Sequence, residues 1–174
     1  YSSAYIWTNN LLINKNVSDS SRLEVIYVNP NATFITIPNN VKSISAYAFA
    51  GNLNITTIDL NQVEVIGTDA FINSNITNII GNNVNTADVL SFANTPWLEA
   101  QEDNCIVLGN TLLKYITSDN TVIIEEGIER IAANCFSSPS IESVELPTTI
   151  NSIGREAFVG CPNLESIIIK APNA

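Results

Sequence analysis

Residues 146–161 read LPTTINSIGREAFVGC, and the same arrangement of apolar residues recurs along the chain. A small residue followed by phenylalanine marks each copy. The five phenylalanines are Phe49, Phe71, Phe92, Phe136 and Phe158, at intervals of 22, 21, 44 and 22 residues. Because 44 is two periods, the chain is a repeat of 22 residues with one interruption. Repeats of this length are typical of solenoids.

Further apolar columns keep a fixed distance from each phenylalanine. Eight residues before it stand Val41, Val63, Val84, Ile128 and Ile150, and five before it stand Ile44, Ile66, Ala87, Ile131 and Ile153. The run after it, such as Ile141, Val144 and Leu146, alternates with period two and predicts a short strand. One strand per repeat favours a parallel sheet along one side of a solenoid.

The remainder of each repeat reverses the chain. The spacing of five between Ile153 and Phe158 suits a short helical or 3₁₀ turn that packs the phenylalanine inward. One repeat cannot bury its apolar edge alone, so stacked neighbours share a core. We therefore predict ladders of Phe and Ile as the main stabilising feature.

The double interval contains an insertion. Residues 105–108 and 111–116 flank Gly109-Asn110 and predict a β-hairpin. We predict one domain over residues 1–174, consisting of a strand-rich cap (1–33), repeats (34–98), the hairpin insertion (99–120) and further repeats (121–174). The strand at 167–169 leaves two alternatives: an exposed edge that invites association, or more coils in the natural chain.

Two segments carry a family resemblance: IPNNVKSISAYAFAG at 37–51 and LPTTINSIGREAFVGC at 146–161. They resemble the BspA-like (Treponema pallidum type) leucine-rich repeats, whose pattern is roughly I-P-x-x-V-x-x-I-G-x-x-A-F-x-x-C-x-x-L-x-x-I. The resemblance covers residues 34–169. The chain departs from the pattern at Ser45, which replaces glycine, and in the degenerate coil at 87–92.

The resemblance implies an α/β leucine-rich-repeat solenoid. Its coils would be right-handed, with the parallel sheet on a concave face and the short helical turns on the convex side. Members of this family are commonly secreted or surface-anchored in bacteria and some protists, and several are adhesins. The resemblance therefore implies an extracellular or cell-surface location and a protein partner of host or microbial origin.

Composition argues against catalysis. The chain has 17 acidic and 7 basic residues, a net charge of −10, and no histidine. Strong negative charge disfavours nucleic acid and anionic lipid as partners, and the commonest general base and metal ligand is missing. No apolar run is long enough for membrane insertion. We expect no catalytic residue, cofactor or metal site, and the oligomeric state stays open.

Individual polar and aromatic residues have conservative interpretations. Cys135 and Cys161 occupy columns that require small residues and predict buried core thiols, and Cys105 at the hairpin is expected to be packed. The acidic clusters, Glu99, Glu102, Asp103 and Glu125, Glu126, Glu129, are expected to be solvated rather than to bind Ca²⁺ or act as a glycosidase pair. Trp7 and Trp97 beside the hairpins favour cap or core packing over a sugar-stacking platform.

The outward positions of the strands supply a candidate binding face. The residue between the two inward ones is, in successive strands, Thr36, Asp59, Ile80, Ile123, Glu145 and Ile168. Two residues earlier stand Phe34, Thr57, Asn78, Thr121, Ser143 and Ser166. Ile80 and Ile123, expected on neighbouring strands between Asp59 and Glu145, would form an apolar centre with an acidic rim. The alternatives are a merely hydroxyl-rich surface, or a hairpin that covers it.

These observations favour a non-catalytic extracellular module for protein binding or adhesion, which presents the sheet to a partner. The net charge favours a partner with a basic patch. The alternative is a structural spacer within a longer surface protein that has no ligand of its own. An enzyme is the least favoured class.

Overall fold

The computed structural model describes residues 4–15, 23–81, 83–101 and 105–170. It divides into two compact units, Tyr1–Glu102 (unit 1) and Asp103–Ala174 (unit 2), which are described separately. Each unit stacks coils of mostly parallel strands with little helix, so the predicted leucine-rich-repeat solenoid is confirmed. The single domain with the boundaries given above stays a prediction.

Unit 1 contains a five-stranded and a two-stranded sheet. Its strands are β1 (Tyr5–Thr8), β2 (Leu11–Lys15), β3 (Leu23–Val28), β4 (Val41–Ile44), β5 (Thr57–Asp59), β6 (Val65–Ile66) and β7 (Asn78–Ile80). The larger sheet has the order β1-β2-β3-β4-β6, and β5 pairs with β7. The strands β1, β2 and β3 are antiparallel, as a strand-rich cap predicts, whereas β3, β4 and β6 are parallel.

Unit 2 contains a four-stranded and a three-stranded sheet. Its strands are β8 (Cys105–Leu108), β9 (Thr111–Tyr115), β10 (Thr121–Ile123), β11 (Arg130–Ile131), β12 (Ser143–Leu146), β13 (Ser152–Ile153) and β14 (Ser166–Ile169). The orders are β13-β11-β9-β8 and β10-β12-β14. The predicted hairpin is the antiparallel pair β8–β9, and Gly109 in its turn has a φ of 64°.

Each repeat forms more backbone hydrogen bonds with the adjacent coil than one strand per repeat would provide. The V-x-x-I segment is itself a short strand, for example β6 beside β4. The turn at the phenylalanine also bonds to the next coil: the Phe49 N–H donates to the Ala70 carbonyl at 2.8 Å, and the Phe71 N–H to the Ser91 carbonyl at 2.8 Å. Stacking buries the backbone around the whole coil, so its polar groups need partners in the adjacent coil.

Most of the expected helical turns are hydrogen-bonded turns instead. The residue two before the phenylalanine has positive φ in four coils, at Tyr47, Asp69, Asn134 and Glu156. One left-handed residue interrupts a helical run and leaves the phenylalanine N–H to bond across coils. In the described residues, helix is confined to a 3₁₀ turn at Val89–Phe92 and to α1 (Pro96–Glu99).

The predicted phenylalanine ladder forms the core of each unit. In unit 1 the rings of Phe49 and Phe71 stack at 4.7 Å between centroids, those of Phe71 and Phe92 at 5.5 Å, and Trp97 packs on Phe92 at 4.7 Å. All four side chains are buried.

The ladder of unit 2 follows the same geometry. Phe136 lies between Tyr115, at 5.6 Å, and Phe158, at 4.8 Å. Phe136 is fully buried, whereas Phe158 in the last described coil is half-buried. The tyrosine of the hairpin thus takes the place of a phenylalanine at one end of this ladder.

Candidate functional site

The strand pairing of unit 1 sets Asp59 directly beside Ile80. Register pairs Thr57 with Asn78 and Asp59 with Ile80, with the buried Ile58 between. Asp59 and Ile80 are exposed, as predicted, and Asp59 Oδ1 accepts a hydrogen bond from the Asn61 N–H at 2.8 Å. We call Asp59 and Ile80 the unit 1 row.

Three predicted residues line up in unit 2. Ile123, Glu145 and Ile168 are successive register partners across β10, β12 and β14. Both isoleucines are about half exposed, at 50% and 54%, while Glu145 is half-buried and pairs with Lys170 Nζ at 3.2 Å. We call Ile123, Glu145 and Ile168 the unit 2 row.

Ile80 and Ile123, which the sequence predicts on neighbouring strands, belong to different sheets, and an apolar centre formed by the two stays a prediction. Ile80 lies on β7, which pairs with β5, and Ile123 lies on β10, which pairs with β12. Backbone pairing therefore places each isoleucine beside an acidic residue of its own unit. Thr36 is exposed, as expected, but belongs to irregular chain rather than to a strand.

The described strands of the hairpin insertion, β8 and β9, leave the unit 2 row uncovered. Strand β9 pairs with β11, so the hairpin extends the sheet of the V-x-x-I strands. Strand β10 pairs with β12 and not with the hairpin. Ile123 accordingly stays half exposed. At the border of the row, Val107 of the hairpin and Ile123 line one cavity.

The positions two residues before each row are mostly polar. Thr57, Asn78 and Thr121 are exposed, and Ser166 Oγ donates to Ser143 Oγ at 2.9 Å. Phe34, two residues before Thr36, differs from these positions because it is apolar, although 75% of its surface is accessible. Each row is thus an alternation of apolar and acidic side chains beside a strip that is mainly hydroxyl and amide.

The cysteines follow the sequence prediction. Cys135 and Cys161 are buried, and Cys105 is half-buried. The position three after phenylalanine is buried at Asn52, Ser74, Thr95 and Cys161, but in the Phe136 coil Pro139 is exposed and Ser138 is buried instead.

The two tryptophans differ. Trp97 is buried on Phe92, as core packing predicts. Trp7 is 57% exposed and stacks on Tyr27 with 6.3 Å between ring centroids. Tyr5 and Trp7 are two residues apart in β1 and so share one face of the strand. This spacing is the signal in the sequence that could have predicted the exposed aromatic surface.

Two of the described acidic residues, Glu126 and Glu129, accept hydrogen bonds from the adjacent coil, Glu129 Oε2 from Asn151 Nδ2 at 3.4 Å. Glu126 accepts from the Thr148 N–H and hydroxyl, both at 3.0 Å, and the first of these bonds is the main cause that lowers the pKa of Glu126. Glu129 pairs with Arg130 at 3.2 Å. Glu102 and Asp103 lie outside the described residues. Within the described ranges, no group of three His, Cys, Asp or Glu residues could hold a metal ion.

The coil geometry and its repeat columns agree with one family. A profile described as "BspA type Leucine rich repeat region" matches six copies over residues 24–115 and 90–173, which together span most of the chain. The chain belongs to this family. The resemblance stated from the sequence is confirmed, and leucine-rich-repeat solenoids of this kind are typically non-catalytic.

Solved structures agree on the fold. A leucine rich cell surface protein from Faecalibacterium prausnitzii is 22% identical with a TM-score of 0.52, and the alignment covers 99% of this chain and 41% of that one. The Treponema pallidum Leucine Rich Repeat protein is 14% identical with a TM-score of 0.50, covering 93% and 70%. The chain thus spans less than half the length of the first of these proteins. No curated protein matches the chain.

The longest helix in the described residues has four residues, so none of these helices could span a membrane.

Proposed function

We propose that this chain is a non-catalytic extracellular module that binds a protein partner, as an adhesin does, through the outward residues of its strands. The observation that carries the proposal is the unit 2 row. Parallel pairing holds Ile123, Glu145 and Ile168 side by side on one sheet, with both isoleucines half exposed. Exposed apolar groups among polar ones are typical of interaction sites.

Charge indicates the kind of partner. Unit 1 has eight acidic and three basic residues, and unit 2 has nine and four, so each unit has a net charge of −5. A partner with a basic patch would be attracted to either unit before contact. The extracellular location rests on the family and on the cell-surface description of the Faecalibacterium protein.

The test is binding to a panel of purified host matrix proteins and microbial surface proteins, measured by surface plasmon resonance. Glu145→Lys reverses the charge between the two isoleucines, and we expect the affinity for the partner to fall about tenfold. Glu165→Lys is the matched control, because Glu165 is exposed in the same unit and outside the row. Unchanged binding by Glu145→Lys would remove the unit 2 row from the proposal.

The unit 1 row is tested separately. Asp59→Lys loses the hydrogen bond from Asn61 as well as the charge, whereas Asp59→Asn keeps an acceptor for that bond. If the charge attracts the partner, both variants weaken binding, and Asp59→Lys weakens it more. Failure to bind any member of the panel would instead favour the structural spacer.

A further inference from the structure

A cavity of ≈ 380 Å³ opens in unit 2 beside the hairpin. Val107 of β8, Ile123 of β10, and Ile124 and Ile128 after β10 form its apolar wall. Its volume is within the range of small-molecule sites, which are typically apolar with a few polar groups.

The topology explains why the space is not filled. The hairpin continues the sheet of β11 and β13, whereas β10 belongs to the other sheet with β12 and β14. Backbone hydrogen bonds therefore do not draw the hairpin and β10 together. Cys105 and Val107 are two residues apart on β8, so both side chains face the same side, toward the cavity.

The apolar wall is only partly shielded from water. Val107 is 38% exposed and Ile123 is 50% exposed, although Ile124 behind them is buried. An apolar group that entered the cavity would remove this surface from water, which is favourable in proportion to the area covered.

Three polar side chains border the same space: Cys105, Tyr115 and Glu125. Glu125 is an exposed carboxylate side chain. Burial, followed by the nearby Cys105, Asp119 and Glu125, raises the pKa of Tyr115 above that of an ordinary phenol. The Glu125 carboxylate thus gives the cavity a negative rim, and a tyrosine ring is a further favourable neighbour for a cation.

We propose that this cavity binds a small organic cation, with an aliphatic or aromatic body against Val107, Ile123 and Ile128 and an ammonium group at Glu125. The cavity shares Ile123 with the unit 2 row, but binding of a small cation here does not require a protein partner. It assigns a role to the hairpin, whose strand β8 supplies Val107 and Cys105.

The reactivity of Cys105 can report on binding to the cavity in the full chain. It borders the cavity and is half-buried, while Cys135 and Cys161 are buried. The probes are phenethylammonium, 3-phenylpropan-1-ol and 3-phenylpropanoate, which share an apolar body and differ in charge. Alkylation of Cys105 by iodoacetamide is followed by mass spectrometry, and amide shifts of Val107 and Ile128 are followed by NMR in parallel.

We expect the ammonium probe to slow the alkylation of Cys105 at the lowest concentration. The alcohol should require a higher concentration, and the carboxylate the highest. Glu125→Gln should lower the affinity for the ammonium probe about threefold, to that of the alcohol. Glu165→Gln removes an exposed charge of the same unit away from the cavity and should change nothing. Val107→Arg should abolish protection by all three probes.

The NMR shifts keep the test decisive if Cys105 reacts too slowly to follow. No protection and no shifts at the solubility limit of the probes would overturn the site. Equal binding of the three probes, or a Glu125→Gln variant that binds the ammonium probe unchanged, would overturn the assignment of a cation. Neither result bears on the protein partner, which is tested by the variants of the rows.

Discussion

Three buried polar residues occupy one repeat position in unit 1, and their hydrogen bonding differs. Asn52 Oδ1 accepts from the N–H groups of Asn54 and Ile55 at 3.1 and 3.0 Å. Thr95 Oγ1 donates to the Phe92 carbonyl at 2.7 Å and accepts from the Leu98 N–H at 3.2 Å. Among the described residues, the hydroxyl of Ser74 is buried without a partner. A buried polar group without a partner costs stability.

We therefore expect Ser74→Ala to leave the free energy of unfolding unchanged or to raise it by up to about 1 kcal/mol. Asn52→Ala, at the same repeat position, should lower it by about 1–3 kcal/mol, because the N–H groups of Asn54 and of the buried Ile55 lose their acceptor. Urea unfolding of both variants measures the difference. A clear loss of stability in Ser74→Ala would contradict the conclusion that the buried hydroxyl of Ser74 has no hydrogen-bond partner.

The glycine of the repeat pattern is required where a coil touches the backbone of its neighbour. A Cβ on Gly154 would lie 2.4 Å from the Ala133 nitrogen, and one on Gly67 2.4 Å from the Ala46 nitrogen. Ser45 occupies this position in the coil next to the cap, where its hydroxyl donates to Glu24 of β3 instead. The departure from the pattern is thus explained by a different neighbour.

Gly154→Ala should lower the free energy of unfolding by about 1–3 kcal/mol, since backbone atoms of the preceding coil must move. Gly51→Ala is the comparison: nothing lies within 4 Å of its Cβ, and only its φ of 66° opposes the substitution. That strain amounts to about 1–2 kcal/mol. If Gly154→Ala keeps the thermal midpoint of the unmodified chain but shows altered amide shifts at Ala133, the contact is relieved cheaply and the prediction is wrong.

At the scale of elements, the phenylalanine turns connect the coils. Phe71 is fully buried between Phe49 and Phe92, and its N–H bonds to the next coil. Phe71→Ala should lower the free energy of unfolding by about 3–5 kcal/mol. Phe34→Ala makes the same truncation at a side chain that is 75% exposed, and should change stability by less than about 0.5 kcal/mol. Equal midpoints for the two variants in urea would refute the buried ladder.

The repeat columns predicted these elements only in part. Val41, Ile44 and Phe49 are buried as the spacing predicts, because spacing alone decides which side chains share a face. The V-x-x-I strands and the left-handed residues such as Tyr47 and Asp69 were not predicted. Both depend on hydrogen bonds to an adjacent coil, and such bonds leave no pattern within a single repeat.

At the scale of the whole chain, negative charge opposes an exposed apolar edge. Strand β14 pairs with β12 on one side, and Ile167 and Ile169 are 45% and 63% exposed. The equivalent residues Val144 and Leu146 of β12 are fully buried, because a further coil covers them. An edge of this kind can pair with another chain.

Self-association should therefore increase as the pH approaches the isoelectric point of ≈ 4.2, where the repulsion from the net charge of −10 disappears. Sedimentation velocity at pH 7 and near the isoelectric point measures this. Ile169→Lys should reduce the association, while Val159→Lys, an equal change of charge at an exposed residue outside the strands, should not. Circular dichroism at each pH checks that the chain stays folded, and identical sedimentation at both would contradict the prediction.

The sequence by itself determined the period, the buried columns, the hairpin and the family, because each of these depends on which residues recur at a fixed spacing. It also identified Asp59, Ile80, Ile123, Glu145 and Ile168 as exposed or partly exposed. Only the tertiary structure decided which of them are neighbours: Asp59 lies beside Ile80, and Ile123 beside Glu145 and Ile168. The cavity beside Ile123 was equally invisible in the sequence, since neighbours across strands are set by pairing register and sheet membership rather than by order along the chain.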